Sequence, residues 1–270
     1  MKKEEYLSLI DEVIAQGPYT DTWDSLCEHP TPKWYAEINS EFYPLGVYSV
    51  PAFGNEWYPR NMYLKGSKEN LHHTEKYGTL DKFGYKDLFL SLRLRSLIRR
   101  NGRLYLKRLG AKFVVPVAEH HDGFQMYASD LCRWNAAEMG PKRDILGELK
   151  TEVEKAGMVL GASSHRAEHY WFFNGGRQIP EADVNDPEYA DLYGPAAGIT
   201  RDMSDIYDNP PTEEHMQDWL VRTCEIVDKY QPSIVYFDWW IQQYAWKPYL
   251  RKFAAYYYNR SAQWGKETAI

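Results

Sequence analysis

Residues 112–124 read KFVVPVAEHHDGF, an apolar run of strand length that breaks abruptly into Glu119, His120, His121 and Asp122. An unbroken apolar run, as opposed to an alternating one, fits a strand buried on both faces, as in a parallel sheet covered by helices. The same form recurs at Met158–Ala162 (MVLGA), which ends in SSHRAEHYWFF, and at Ser233–Phe237 (SIVYF), which ends in DWW. A fourth strand is expected just before GVYSV, which begins at Gly46. Between the runs lie helix-like stretches. In GPKRDILGELKTEVEKAG, Ile145, Leu146, Leu149 and Val153 recur at helical spacing and Gly157 follows the last turn. In TEEHMQDWLVRTCEIVDKYQP, Met216, Leu220, Cys224 and Val227 form one stripe, with Thr212 as N-cap and Pro232 beyond the end. This is βα repetition with polar and aromatic residues gathered at strand C-termini. It points to an α/β fold of the (β/α)8 TIM-like barrel type, ahead of a doubly wound sheet, which would carry a Gly-rich phosphate loop. Too few strands are visible for eight, and the chain ends in helix-like FAAYYYNRSAQWGKETAI. The expectation is therefore a truncated barrel over residues 1–270, its C-terminal strands missing.

Composition narrows the function. The chain has 270 residues, 44% hydrophobic and 26% charged, enough to bury a sizeable core. A formal net charge of −6 without a long Lys/Arg block offers no footprint for phosphate backbones, so no nucleic-acid partner is expected. The N-terminus, MKKEEYLSLIDEVIAQG, is acidic and amphipathic where a secretory signal has an apolar core. No run approaches the ~18 apolar residues of a membrane span. A cytoplasmic protein with no membrane association is expected. Cys27, Cys132 and Cys224 lie far apart in unlike contexts and read as reduced thiols. The aromatic fraction is 16%, with 10 Trp and 22 Tyr clustered in strings such as NEWYPRNMY, EHYWFF and YFDWW. Such rings, mixed with His, Asp and Glu, suit stacking on the apolar faces of sugars while carboxylates and imidazoles bind hydroxyls.

The candidate site follows from strand ends. Asp238 comes directly after an apolar strand and is flanked by Tyr236, Trp239 and Trp240, a placement for a nucleophile or charge stabiliser, or for a helix cap. His120 and His121 cannot both face inward on an ideal strand, but a bulge at its end would let both touch a ligand; otherwise one is buried and one exposed. His165 and His169 have the spacing of one helix face, yet no third ligand follows at a metal-binding interval. Glu56, beside Trp57 and Tyr58, is a loop carboxylate in a setting that can raise a pKa toward general-acid duty.

The strings GVYSVPAFGNEWYPRNMY, AKFVVPVAEHHDGFQMYASDLCRWNAAEMGPKRDILGEL, LGASSHRAEHYWFFNGG and IVYFDWW resemble the α-L-fucosidases of glycoside hydrolase family 29. The resemblance implies a (β/α)8 catalytic domain and retaining hydrolysis of terminal α-L-fucose from a small-molecule fucoside or fucosylated glycan. It places the nucleophile at Asp238, fucose contacts at His120 and His121, and the carboxylate of the EWY loop at Glu56. Glu56 is the in-chain candidate for acid/base, although the family's acid/base often follows the nucleophile strand, a position beyond Ile270. Further substrate contacts are assigned to Trp57, Tyr236, His165 and Trp240. No cofactor and no metal is expected. Two other readings remain: an inactive fragment that at most binds sugars, and a metal hydrolase built on His120, His121 and His165, which a chelator would inhibit.

Two stretches, 38–45 and 88–103, depart from the family pattern. Where its members carry a first strand resembling KFGIFIHWG, whose histidine contacts fucose, this chain has INSEFYPLG; where they have something like FIPLFKAEKFDPEEWA, it has LFLSLRLRSLIRRNGR. Permitted codons for each stretch spell the family residues once single bases are restored, so both are read as frameshifted. The added Arg93, Arg95, Arg99 and Arg100 are then not a basic binding patch, and Pro44 falls where a strand is needed. Local disruption and a poor enzyme are expected.

Overall fold

The computed structural model describes residues 1–37, 40–43, 45–94, 110–195 and 210–270. Four strands form one parallel sheet in the order β1-β2-β3-β4: β1 Ser40–Tyr43, β2 Phe113–Glu119, β3 Val159–Ser164 and β4 Ile234–Phe237. The three apolar runs are β2 to β4, and the fourth strand lies where it was expected. Every residue of β2 is buried, as an unbroken apolar run requires.

Helix α1 (Lys3–Gln16) opens the chain, and α2 (Lys68–Tyr77) lies between β1 and β2. Helix α3 (Ile145–Lys155) connects β2 to β3, α4 (Glu213–Tyr230) connects β3 to β4, and α5 (Lys247–Trp264) follows β4. Their ends are set by local chemistry. The Asp144 carboxylate accepts the Gly147 N–H at 3.0 Å and the Thr212 hydroxyl accepts the His215 N–H at 3.2 Å, satisfying donors that a helix start leaves open. One apolar layer packs Val114, Ala118, Leu160 and Ala162 of the sheet against Leu146 and Val153 of α3 and Ile226 of α4. A second joins Ile10 of α1, Trp219 and Cys224 of α4, and Phe253 and Tyr257 of α5 to Val235 and Phe237 of β4. Each fully buried large apolar side chain contributes about 1.5–3 kcal/mol.

Among the described residues the sheet stays open, so it is a parallel α/β sheet and not yet a closed barrel. The chain does not run out in a helix, as its last residues were read. Helix α5 stops at Gly265, in the left-handed region at φ 62°, and the backbone returns to β4. There the Ala269 N–H donates to Ser233 O at 2.9 Å and the Val235 N–H donates to Ala269 O at 3.1 Å, a parallel bridge beside β4. No described helix is long and apolar enough to cross a membrane.

Of the two divergent stretches, Pro44 and residues 95–103 lie outside the described residues. Ser40–Tyr43 pairs in register with Phe113–Pro116, so a strand forms next to Pro44 at the edge of the sheet. Leu88, Phe89 and Leu92 are buried in the core with Phe124 and Trp134, so the start of the second stretch packs as core where disruption was expected. Their apolar character suffices for that burial.

Candidate active site

The strand ends build one cleft. Between Val117 and Glu119 the β2–β3 register slips: Val117 faces Ser163, but Glu119 faces Ser164. This bulge, followed by a turn at His121, brings His120 and His121 to the same cleft, both nearly fully buried. Glu119 faces away from it, onto Arg222 at 3.0 Å. The turn closes at Gly123, where φ is 78° and a Cβ would fall 2.7 Å from Arg166 Nη1 and 2.8 Å from His169 Cε1, so only glycine fits.

The cleft has a volume of about 280 Å³. Its floor is one rung of the sheet, Val117, Ser163 and Tyr236 in register, with Val115 beside them. Trp57 and Trp239 supply indole walls. The rings of His120, His121 and His165 gather with centroids 4.1, 4.9 and 5.1 Å apart. Asp238 opens into the cleft from the end of β4. Its Oδ1 accepts the Trp239 N–H at 2.8 Å and its Oδ2 lies 3.3 Å from His165 Nδ1, so it caps the following turn and faces the histidines at once.

The electrostatics fit an ionised carboxylate beside neutral His120 and His165. The hydrogen bond from His165 holds the Asp238 carboxyl below the usual carboxylate range, outweighing its burial. Burial lowers the affinity of His165 for a proton despite Asp238, and burial with its histidine neighbours puts His120 well below the ordinary imidazole range. Neutral His165 then donates Nδ1–H to ionised Asp238.

Other residues fall differently from their reading. Trp240 is not a cleft residue: it is 1% exposed and packs against Trp171 at 4.9 Å, while its neighbour Trp239 takes the wall. Glu56 lines the cleft together with Trp57 but is exposed, and Tyr58, the other ring read beside it, is buried elsewhere against His73. His169 does not join His165: its ring nitrogens lie 2.7 Å from the carbonyls of His121 and Leu192, so it braces the turn from behind. Sequence reading missed Glu168, 1% exposed, with Oε2 2.7 Å from His121 Nδ1. The signal in the sequence was a single acidic residue within HRAEHYWFF, the histidine- and aromatic-rich segment after β3. Among the described residues two groups offer ligand atoms all within 4.8 Å of one another and have the donors to hold a metal: His120, His121 and His165, and His121, Glu168 and Asp238.

A parallel α/β sheet whose strand ends open into a cleft lined by a carboxylate, imidazoles and indoles has the build of an α/β enzyme. The chain belongs to the α-L-fucosidase family, whose model matches residues 7–270. It is 28% identical to an α-L-fucosidase of Dictyostelium discoideum over 98% of this chain and 53% of that protein, and 33% identical to the tissue α-L-fucosidase of Rattus norvegicus over 55% of this chain and 32% of that one. The crystal structure of Thermotoga maritima α-fucosidase in complex with fucose superposes with a TM-score of 0.69 at 25% identity, covering 91% of this chain and 55% of that one. The chain spans about half the length, or less, of the curated relatives it matches.

Proposed function

We propose that this chain acts on terminal α-L-fucose in fucosides or fucosylated glycans, hydrolysing it with retention on a barrel of which the described sheet is part. The observation that carries this is the Asp238 carboxylate, held ionised by His165, facing the cleft shared with His120 and His121. In that reading Asp238 attacks the anomeric carbon, and a second carboxyl about 5 Å away protonates the leaving oxygen and then activates water. Glu56, at the exposed rim of the cleft, is the in-chain candidate for that second group. His120, His121 and His165 bind hydroxyls, while Trp57, Trp239 and Tyr236 pack on the apolar faces of the sugar. The test is hydrolysis of an aryl α-L-fucoside. Asp238→Ala should lower turnover by roughly 10⁴-fold, the scale of losing a covalent nucleophile, and near-normal turnover would remove Asp238 from that role.

A further inference from the structure

Glu168 has no part in the hydrolysis just described, yet its position is unusual. It lies in the short turn Arg166–Glu168 that follows β3, and neither carboxylate oxygen has an aligned hydrogen-bond donor among the described residues. A buried carboxylate is strongly disfavoured unless something compensates it. Arg60, the nearby cation, directs its Nη1 to Trp171 O, Phe172 O and Asn174 Oδ1. The group within hydrogen-bond reach is His121, whose Nδ1 stands 2.7 Å from Oε2, close enough for a hydrogen bond but out of line for one. The imidazole plane is fixed by Phe172, stacked at 5.0 Å and 22°. What remains free is which ring nitrogen carries the proton.

We propose that Glu168 is a positioning residue that accepts the Nδ1 proton of His121 and thereby presents Nε2 to the cleft as a hydrogen-bond acceptor for a sugar hydroxyl beside Asp238. A buried carboxylate that fixes an imidazole tautomer is a recurring device, and it acts through the imidazole without touching the substrate. The assignment of the hydroxyl to a sugar rests on the fucosidase reading; the tautomer does not.

Two measurements on the 270-residue chain separate these parts. Two-bond ¹⁵N–¹H spectra of the ligand-free protein should show His121 with its proton on Nδ1. Glu168→Gln, which keeps an acceptor oxygen and the shape of the side chain, should preserve that pattern, and Glu168→Leu should abolish it. A proton on Nε2 in the wild type, or an unchanged pattern in Glu168→Leu, overturns the proposal. Calorimetry with L-fucose should then show Glu168→Leu weakening binding by about 10- to 100-fold, the range in which orienting partners of a functional imidazole act. Adding His121→Ala to that variant should change affinity by no more than about twofold, since the two residues act as one unit. Independent losses would overturn the proposal. If the wild type carries the Nδ1 tautomer yet binds no fucose, the fucosidase reading fails while the role of Glu168 toward His121 stands.

Discussion

Asp238 and His165 meet at 3.3 Å, and the direction in which each titration moves fixes the state of the pair. The His165 hydrogen bond lowers the Asp238 carboxyl, and burial lowers the His165 imidazole. A nucleophile works only when ionised, so kcat/KM, which reports the free enzyme, should persist as pH falls through the ordinary aspartate value of about 3.9 and drop only below it. His165→Ala removes the foremost cause of the lowered value, so the acid limb should move to higher pH in a kcat/KM profile on an aryl fucoside. An unmoved limb would show that His165 does not hold Asp238. Legibility at this scale followed the strand ends: His120, His121 and Asp238 were readable because an apolar run ending in polar residues marks where a parallel strand opens, whereas Trp57, in a loop well beyond β1, was readable only from its aromatic cluster and the family resemblance. The Trp239, Trp240 pair was not, because the two are adjacent on the 3₁₀ turn Trp239–Gln242 with their rings 4.8 Å apart, so sequence position does not separate them. Packing on Trp171 decides which indole enters the core, and no local pattern records that. Glu168 was hidden for a related reason: its partner His121 comes near only once β2 and β3 lie side by side.

Strand β3 shows how tightly the elements are fitted. A Cβ built on Gly161 would fall 2.8 Å from Val115 Cγ2 and 3.2 Å from Ile234 O, that is, against both neighbouring strands at once. Gly161→Ala should therefore cost about 1–3 kcal/mol, as overpacking of a closely filled site does. Thermal unfolding should register this as a fall of about 2–4 °C per kcal/mol, and an unchanged midpoint would mean that the sheet opens there without strain. The same closeness explains why β2, β3 and β4 could be read from sequence by their pattern, while β1 was marked only by its place before GVYSV and the bridge at Ala269 not at all. Strands covered on both faces are written as continuous apolar runs, and helices α3 and α4 carry their caps and stripes within one segment. Strand β1, by contrast, is the tetrapeptide SEFY, two polar residues followed by two aromatic ones, which does not read as an apolar run. The bridge at Ala269 involves too few residues to carry a period.

Across the molecule, one buried charge cluster ties the parts of the cleft together. Arg222 of α4 donates Nη1 to Glu119 Oε1 at 3.0 Å and pairs through Nε with Asp218 Oδ2 at 2.8 Å. Arg166, next to His165, reaches the same two carboxylates at 3.5 and 2.8 Å. Two guanidiniums and two carboxylates thus balance while joining the residue before His120, the residue after His165, and the helix behind both. Sequence could not show this, since its members come from three separate segments. Breaking one partner of such a set leaves buried charge uncompensated and costs about 3–5 kcal/mol, the cost expected for Arg222→Met. The sign with pH distinguishes charge from packing. Against its burial, Arg222 and Arg166 keep Asp218 well below the usual carboxylate range. A lowered native value contributes stability above the unfolded value of about 3.9, and that stability is lost as pH falls through the native one. Without Arg222 the carboxylates take up protons at higher pH, so the variant regains ground in acid. Urea unfolding should accordingly show the full penalty of Arg222→Met at pH 7 and a smaller one at pH 4. An equal penalty at both would mean that the arginine holds the cleft by the packing of its stem and not by its charge.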